Sequence, residues 1–491
     1  MKILRSLEES KEFWFIIITS FLFFILRFPS LFEPLWYGDE GIYQVVGSSL
    51  NNGQLLYKEI FDNKPPLLYW LYAILNSDQF TIRLASLIFG VLSVVAFFLL
   101  SKKLFKSEKK NNIPFLTTFI FTLLFALPTL EGNIANAENF MILPIILAGF
   151  LTFNAVVSRP KFSILNSQFS IFLAGLLLGI AFLFKITAIF DFAAFLVFYI
   201  VTNYNSLKKH ISIPKISVGF LLPIIGVTLF FLANGTFKEF IEAAVTTNIP
   251  YVNYANKIEG FPNLLFWKLI ILLGFVLYVF NKRKMYSKTT LFIFLWFASS
   301  TFNALFSQRP YTHYLLVLIP SFSLIIGLIL FDKKYQKTIA IFFLIALMAV
   351  IKVFGIPKFN KSTYYYQNFI SYVKGQKSMP QYQTFFDRNT PVDYEIARFI
   401  KPKLSKNDTI FIWGNNAQLY QLVGVIPPTK YIVAYHISNY KDGVFTTKSS
   451  IEKIKPKFIV VMPNSKAFPF PLINYSKKIN INNAEIYERI F

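Results

Sequence analysis

Long apolar runs separated by short polar stretches fill the first 355 residues of the chain. They lie near 13–32, 81–100, 113–129, 139–157, 170–186, 188–203, 216–232, 263–280, 289–306, 313–331 and 338–355. A helix needs roughly 17 to 25 such residues to cross about 30 Å of hydrocarbon. The pattern therefore predicts a polytopic α-helical membrane protein of about eleven spans, the first of them uncleaved. Runs 170–186 and 188–203 nearly touch, so one long buried hairpin is the alternative there. Between the first two spans lies a long loop, 33–80. Within it "EGIYQVVGSSLNNG" has the apolar spacing of a short interfacial helix. "PPLLYWLYAIL" is too short to span, and its aromatics favour the headgroup level. The loop 233–262 predicts a second interfacial helix.

From about residue 356 the texture changes to short strands and amphipathic helices. "TPVDYEIARFI" (390–400) reads as a helix with Thr390 at the N-cap, Pro391 at the first position and Asp393 closing the capping box. "TIFIWG" (409–414), "YIVAY" (431–435), "FIVVMP" (458–463) and "EIYERIF" (485–491) read as strands. The expected division is a membrane domain, 1–355, followed by a small extracytoplasmic α/β domain, 356–491.

Composition agrees with this reading and narrows the chemistry. Of 491 residues, 55% are hydrophobic and only 15% charged, against about 25% charged in soluble domains. The net charge of +24 raises the question of a polyanionic partner. Its distribution answers it. Basic clusters at 101–110, 158–161, 206–210, 281–288 and 332–337 recur at every second loop. The alternate loops carry Asp39, Glu40, Asp62, Glu131, Glu138, Glu239 and Glu242. That is the positive-inside pattern, which orients spans and implies no nucleic acid. It puts the N-terminus in the cytoplasm and the C-terminal domain outside. With no cysteine and three scattered histidines, thiolate and His-rich metal sites are excluded. "WGNNAQLYQLVG" lacks the G-x-G-x-x-G fingerprint, so no nucleotide cofactor is assigned.

The candidate chemistry lies at the outer ends of the spans. Taken singly, each residue has a plain explanation. Asp39, Glu40 and Glu138 suit helix N-termini, while Lys64, Lys185 and Arg309 suit snorkelling at an interface. Arg27, inside the first span, is expected to face the bundle. Topology, however, sends Asp39, Glu40, Glu138, Lys64, Lys185, Arg309, Tyr311 and His313 to one membrane face. Cations there can hold a phosphate, and a carboxylate within reach of a hydroxyl can act as general base.

"GDEGIY", "NKPPLLYWLYA", "TIRLASLIFGVLS" and "GLLLGIAFLFKITA" together resemble the integral-membrane glycosyltransferases of the C fold. The resemblance covers roughly residues 10–355. It is strongest to the branch holding the lipid A aminoarabinose transferase and the protein O-mannosyltransferases. It implies a sugar donor carried on a polyprenyl phosphate, a hydroxyl acceptor in the cell envelope and inverting single displacement in a bacterial plasma membrane. Carried over, Asp39 is the base or orienting carboxylate, with Glu40 beside it, and Glu138 is a second acid shaping the site. Lys64 and Arg309 neutralise the departing phosphate, with Lys185, Tyr311 and His313 as further phosphate-site candidates. In the aminoarabinose branch a glutamate precedes the lysine of K-P-P, whereas this chain has Asn63, with Asp62 one earlier. A divalent metal and the aminoarabinose substrate are therefore not carried over, and the metal stays open. The competing reading is a transporter or lipid-linked-sugar flippase, which needs ionisable or broken-helix sites at the midplane.

Overall fold

The computed structural model describes residues 10–106, 112–157, 167–204, 213–257, 263–356, 358–463 and 465–490. The basic clusters at 158–161 and 206–210, and part of that at 101–110, lie outside the described residues. All eleven apolar runs fall on helices. Among the described residues eight helices are long and apolar enough to cross a membrane: Lys11–Phe32, Gln79–Leu104, Ala137–Val157, Ile186–Asn203, Pro214–Ala233, Leu264–Asn281, Thr312–Phe331 and Gln336–Phe354. Two further apolar helices, Ile113–Ala126 and Gln168–Phe184, are shorter. The remaining run, Lys288–Leu305, is buried along nearly its whole length. Its Ser299, Ser300 and Asn303 are tolerated because protein rather than lipid surrounds them.

The chain divides into two compact units, neither of them continuous in sequence. One comprises Met1–Phe28, Ala85–Phe230 and Thr246–Ser362, and the other Pro29–Leu84, Phe231–Val245 and Thr363–Phe491. The loop 33–80 thus folds with the C-terminal segment.

The first unit is a helical bundle. One close crossing joins Ser167–Phe184 to Ile213–Ala233. A Cβ on Gly175 would fall 2.1 Å from the Ile216 carbonyl oxygen, and one on Gly219 would fall 2.1 Å from that of Phe172. Only glycine lets the backbones approach so closely, as expected where packing rather than hydrophobic exclusion joins helices in lipid. Arg27 does face the bundle. Its Nη2 donates to Ser86 at 3.1 Å and its Nη1 to Asn139 at 3.4 Å. Asp191 lies buried within a span and accepts a 2.8 Å bond from the Trp296 indole.

The second unit holds a four-stranded mixed sheet in the order β1-β2-β4-β3: β1 Ile410–Trp413, β2 Phe458–Val461, β3 Tyr475–Ile481 and β4 Ala484–Arg489. β1 pairs parallel to β2, with Ile410 opposite Phe458. β4 pairs antiparallel to both β2 and β3. The β3–β4 turn places Asn482 and Asn483 at φ +47° and +68°, the left-handed pair a tight hairpin requires.

Three sequence expectations change here. "YIVAY" is not a strand: Tyr431 makes a single bridge to Phe61, and a helix runs Ala434–Asn439. Tyr431, Ile432 and Val433 are buried, but outside any named strand. β3 goes unread in the sequence because lysines dominate its exposed face, as is common on edge strands. The N-cap of Thr390–Ile400 is Asn389, not Thr390, and no side chain caps it. Asp393 is buried instead, accepting from Asn416 at 2.9 and 3.1 Å and from Gln418 at 2.8 Å. Burial pushes its carboxyl up to about 7, against the pull of those two amides.

A carboxyl raised in this way contributes stability that is full below its ordinary value of 3.8 and lost as pH rises through about 7. Thermal unfolding of the full chain in detergent is therefore expected to fall more steeply from pH 5 to 8 in wild type than in Asp393→Asn. Parallel profiles would show that Asp393 does not hold its proton in the fold.

Candidate active site

Within the loop 33–80, the helix Gly38–Asn51 places Asp39 and Glu40 in its first turn, where the helix dipole favours negative charge. The two carboxylates then part company. Glu40 is buried, and Arg83 grips it as a fork, with Nε to Oε1 at 3.1 Å and Nη2 to Oε2 at 2.5 Å. The same guanidinium donates from Nη1 to the Ser30 carbonyl at 2.8 Å and pairs with Glu33 at 2.7 Å. Arg83 and Glu33 side chains are both 0% exposed. Glu33 is satisfied further by Tyr365 at 2.6 Å and the Trp36 indole at 2.8 Å. Burial, then Glu33, pushes the Tyr365 hydroxyl far up, so it stays a donor.

Asp39 is only partly buried. One turn along the helix, Tyr43 donates to its Oδ2 at 3.3 Å. On the same ring, at 5.7 Å from the centroid, sits the Lys64 ammonium. Lys64 Nζ also donates to the Asn63 side chain at 3.2 Å. The lysine backbone is fixed on both sides: its N–H donates to Tyr69 Oη at 3.0 Å, and its carbonyl accepts from Tyr57 at 2.7 Å. Tyr69 in turn donates to Asp62 at 2.6 Å. Burial, followed by the Asp62 charge, pushes both phenols well above their ordinary range, so they remain donors. His436 places Nε2 3.6 Å from Asp62 Oδ1. Burial drives its imidazole down to about 4, with Lys64 adding to the fall and Asp62 and Asp39 opposing it.

In the helical bundle, a second set gathers at Glu138, where Ala137–Val157 begins. Lys185 pairs with Glu138 and lies 4.1 Å from the Tyr314 ring centre. His313 packs edge-on to Tyr314 at 4.6 Å and parallel to Tyr311 at 5.8 Å. Its Nδ1 meets Glu131 at 2.9 Å, and Thr312 donates to the same carboxylate at 2.7 Å. Glu131 adopts φ +57° to present it. Arg309 lies over Tyr254 at 5.7 Å. The neighbouring Gln308 accepts from Lys268 at 2.5 Å, and Lys268 also reaches Asn256 at 2.9 Å.

Of the residues singled out in sequence, the structure thus groups Asp39, Glu40 and Lys64 in one unit. Glu138, Lys185, Tyr311 and His313 are grouped in the other, with Arg309 beside Tyr254. Sequence reading missed Arg83, Glu33 and His436 as partners, and nothing in their local motifs pairs them with the loop. Among the described residues no three His, Cys, Asp or Glu side chains gather closely enough to ligate a metal ion. Asp62 and His436 supply two such donors.

A set of apolar helices long enough to cross a membrane, a long loop after the first of them and a terminal α/β segment are features of the C fold of integral-membrane glycosyltransferases. The chain has that fold. It is similar over 97% of its length to ArnT from Cupriavidus metallidurans bound to undecaprenyl phosphate, covering 98% of that chain at 14% identity and TM-score 0.58. Against the apo state of the same protein the match covers 97% and 98% of the two chains, at 13% identity and TM-score 0.54. The oligosaccharyltransferase AglB from Archaeoglobus fulgidus, in complex with an inhibitory peptide and a dolichol-phosphate, matches 92% of this chain and 69% of its own at 12% identity and TM-score 0.45. The profile of the dolichyl-phosphate-mannose-protein mannosyltransferase family matches residues 63–230. No curated protein sequence matches the chain.

Removing the Arg83 guanidinium leaves Glu33 and Glu40 buried without their cation, which typically costs about 3–5 kcal/mol. Arg83→Met is expected to lower the melting temperature sharply or abolish recovery of folded protein. Arg83→Lys is not expected to rescue it, since a point charge cannot fork between two carboxylates. A variant that melts like wild type would contradict the structural role given to this triad.

Proposed function

We propose that the protein transfers a sugar from a polyprenyl-phosphate donor to a hydroxyl acceptor at the outer face of a bacterial plasma membrane. The observation that carries this reading is the sharing of one tyrosine by an acid and a cation. Tyr43 hydrogen-bonds Asp39 at 3.3 Å while its ring carries Lys64 at 5.7 Å. A base and a phosphate ligand on either side of one side chain are what a single displacement on a phosphate-linked sugar needs.

In the proposed step Asp39 takes the proton of the acceptor hydroxyl as its oxygen attacks the anomeric carbon. The bond from that carbon to the phosphate oxygen breaks, its electron pair leaves with the polyprenyl phosphate, and the sugar inverts. Lys64 meets the charge developing on the phosphate, the kind of electrostatic term that dominates such catalysis. Glu40, committed to Arg83, acts by fixing the helix turn that carries Asp39. Lys185 and His313 are each joined to a carboxylate, Glu138 and Glu131. As phosphate ligands they would have to exchange those partners for the donor, and Arg309 and Tyr311 complete that candidate set. Which sugar and which acceptor hydroxyl are used is set by contacts beyond these residues. The mannosyltransferase profile over residues 63–230 and the ArnT-like fold favour a lipid-linked donor over a nucleotide sugar.

Purified protein in nanodiscs, offered radiolabelled polyprenyl-phosphate sugars and membrane extract as acceptor, is expected to release sugar from the lipid. Asp39→Asn should lower turnover by a factor of about 100 or more while leaving donor binding intact. No release from any donor by folded wild type would favour the transporter, and equal release in both proteins would remove Asp39 from the chemistry. Lys64→Ala, in contrast, should weaken donor engagement, seen as a donor KM raised about tenfold or more, as for loss of a charged hydrogen bond. An unchanged donor KM would take Lys64 out of the phosphate site.

A further inference from the structure

The loop that carries Lys64 is gripped by the C-terminal segment 430–440. Phe61 donates its N–H to the Lys430 carbonyl at 3.0 Å and bridges to Tyr431. Its ring is enclosed by Tyr440 at 4.7 Å, Tyr431 at 5.2 Å and His436 at 5.5 Å. A polar line runs beside this apolar clamp. His436 Nε2 faces Asp62 Oδ1 at 3.6 Å, Asp62 Oδ2 accepts from Tyr69 at 2.6 Å, and Tyr69 accepts from the Lys64 N–H at 3.0 Å. We infer that His436 is a positioning residue for donor binding, setting the Lys64 ammonium through Asp62 and Tyr69.

Three features support this over a merely structural histidine. His436 is 2% exposed, yet its Nδ1 is buried with no hydrogen-bond partner among the described residues. A histidine retained for packing alone would not keep a polar atom in that state. Its burial keeps the ring neutral near pH 7, so it acts as a hydrogen-bonding group rather than as a second cation on the phosphate. The proton on Nε2 then points at Asp62, and Nδ1 is left as an acceptor. Finally, 3.6 Å is too long for a hydrogen bond. A movement of well under an ångström closes it, in the way catalytic contacts tighten when substrate binds. That movement is transmitted to Lys64 through the short Asp62–Tyr69 bond.

The inference rests on the donor-phosphate role proposed for Lys64, so its test reads lipid binding directly. Full-length protein in nanodiscs is titrated with undecaprenyl phosphate carrying no sugar. His436→Phe, which keeps the aromatic clamp and removes the polar line, is expected to weaken binding about tenfold, as for loss of one bond to a charged group. His436→Gln restores a donor toward Asp62 and should bind within about twofold of wild type. In the double variant of His436→Phe with Lys64→Ala, the loss should not exceed that of Lys64→Ala alone, since both act on one contact. Wild-type-like binding by His436→Phe, no rescue by glutamine, or additive losses overturn the inference while leaving the transferase reading intact. Failure of wild type to bind the lipid overturns both. If His436→Phe yields no folded protein, Asp62→Asn cuts the same line from its other side. It is expected to weaken binding about tenfold, and unchanged binding overturns the proposal.

Discussion

The Arg83 guanidinium, enclosed by Glu33 and Glu40, is the constraint on which the candidate site depends. Taking three charges out of water costs several kcal/mol for each ion, and removing any one of them strands the others. The arrangement holds because its hydrogen-bonding capacity is filled from several directions: Ser30 takes the guanidinium, while Tyr365 and Trp36 donate to Glu33. Glu40 gains further from its place in the first helical turn. The outcome is a fixed origin for the helix Gly38–Asn51. Asp39, one residue earlier, is thereby turned to its own side, toward Tyr43 and Lys64. Two adjacent carboxylates divide into one that holds the backbone and one left for the proposed chemistry.

The same logic explains why the loop 33–80 folds with the far end of the chain. A loop of this length on its own would carry flexible polar backbone. Here the groups are taken up by residues hundreds of positions later. Gly41 packs so closely on Gln418 that a Cβ would lie 2.7 Å from its backbone nitrogen, and Gln421 reaches Ser48 at 2.8 Å. Tyr394 caps the Leu35 N–H at 2.9 Å. The C-terminal segment is therefore part of what gives Asp39 and Lys64 their positions, rather than an appended module.

Much of this was legible in the sequence, for identifiable reasons. Spans declare themselves by length and hydropathy, so all eleven apolar runs are helices. Yet Lys288–Leu305, with serines and an asparagine, is visibly different only once its burial is known. β1 and β2 are read correctly because a buried strand is a short apolar run, whereas β3 hides behind Tyr475, Lys477 and Lys478. "YIVAY" misleads because a segment buried outside a sheet has the same composition as one buried in it. At the site, Asp39 and Lys64 stand out as charges beside apolar runs. Arg83 and His436 do not, because their partners lie 43 residues away for Glu40 and at the opposite end of the chain for Asp62. Long-range charge pairing leaves no periodic trace.

The stereochemistry of the product tests the central claim most directly. Wild-type protein would be given a polyprenyl-phosphate sugar of known anomeric configuration, and the configuration of the new glycosidic bond read by NMR. Single displacement with Asp39 as base predicts complete inversion. Retained configuration would require a covalent or doubly displaced intermediate, and would contradict the assignment of Asp39 and Lys64 to the two ends of one in-line step.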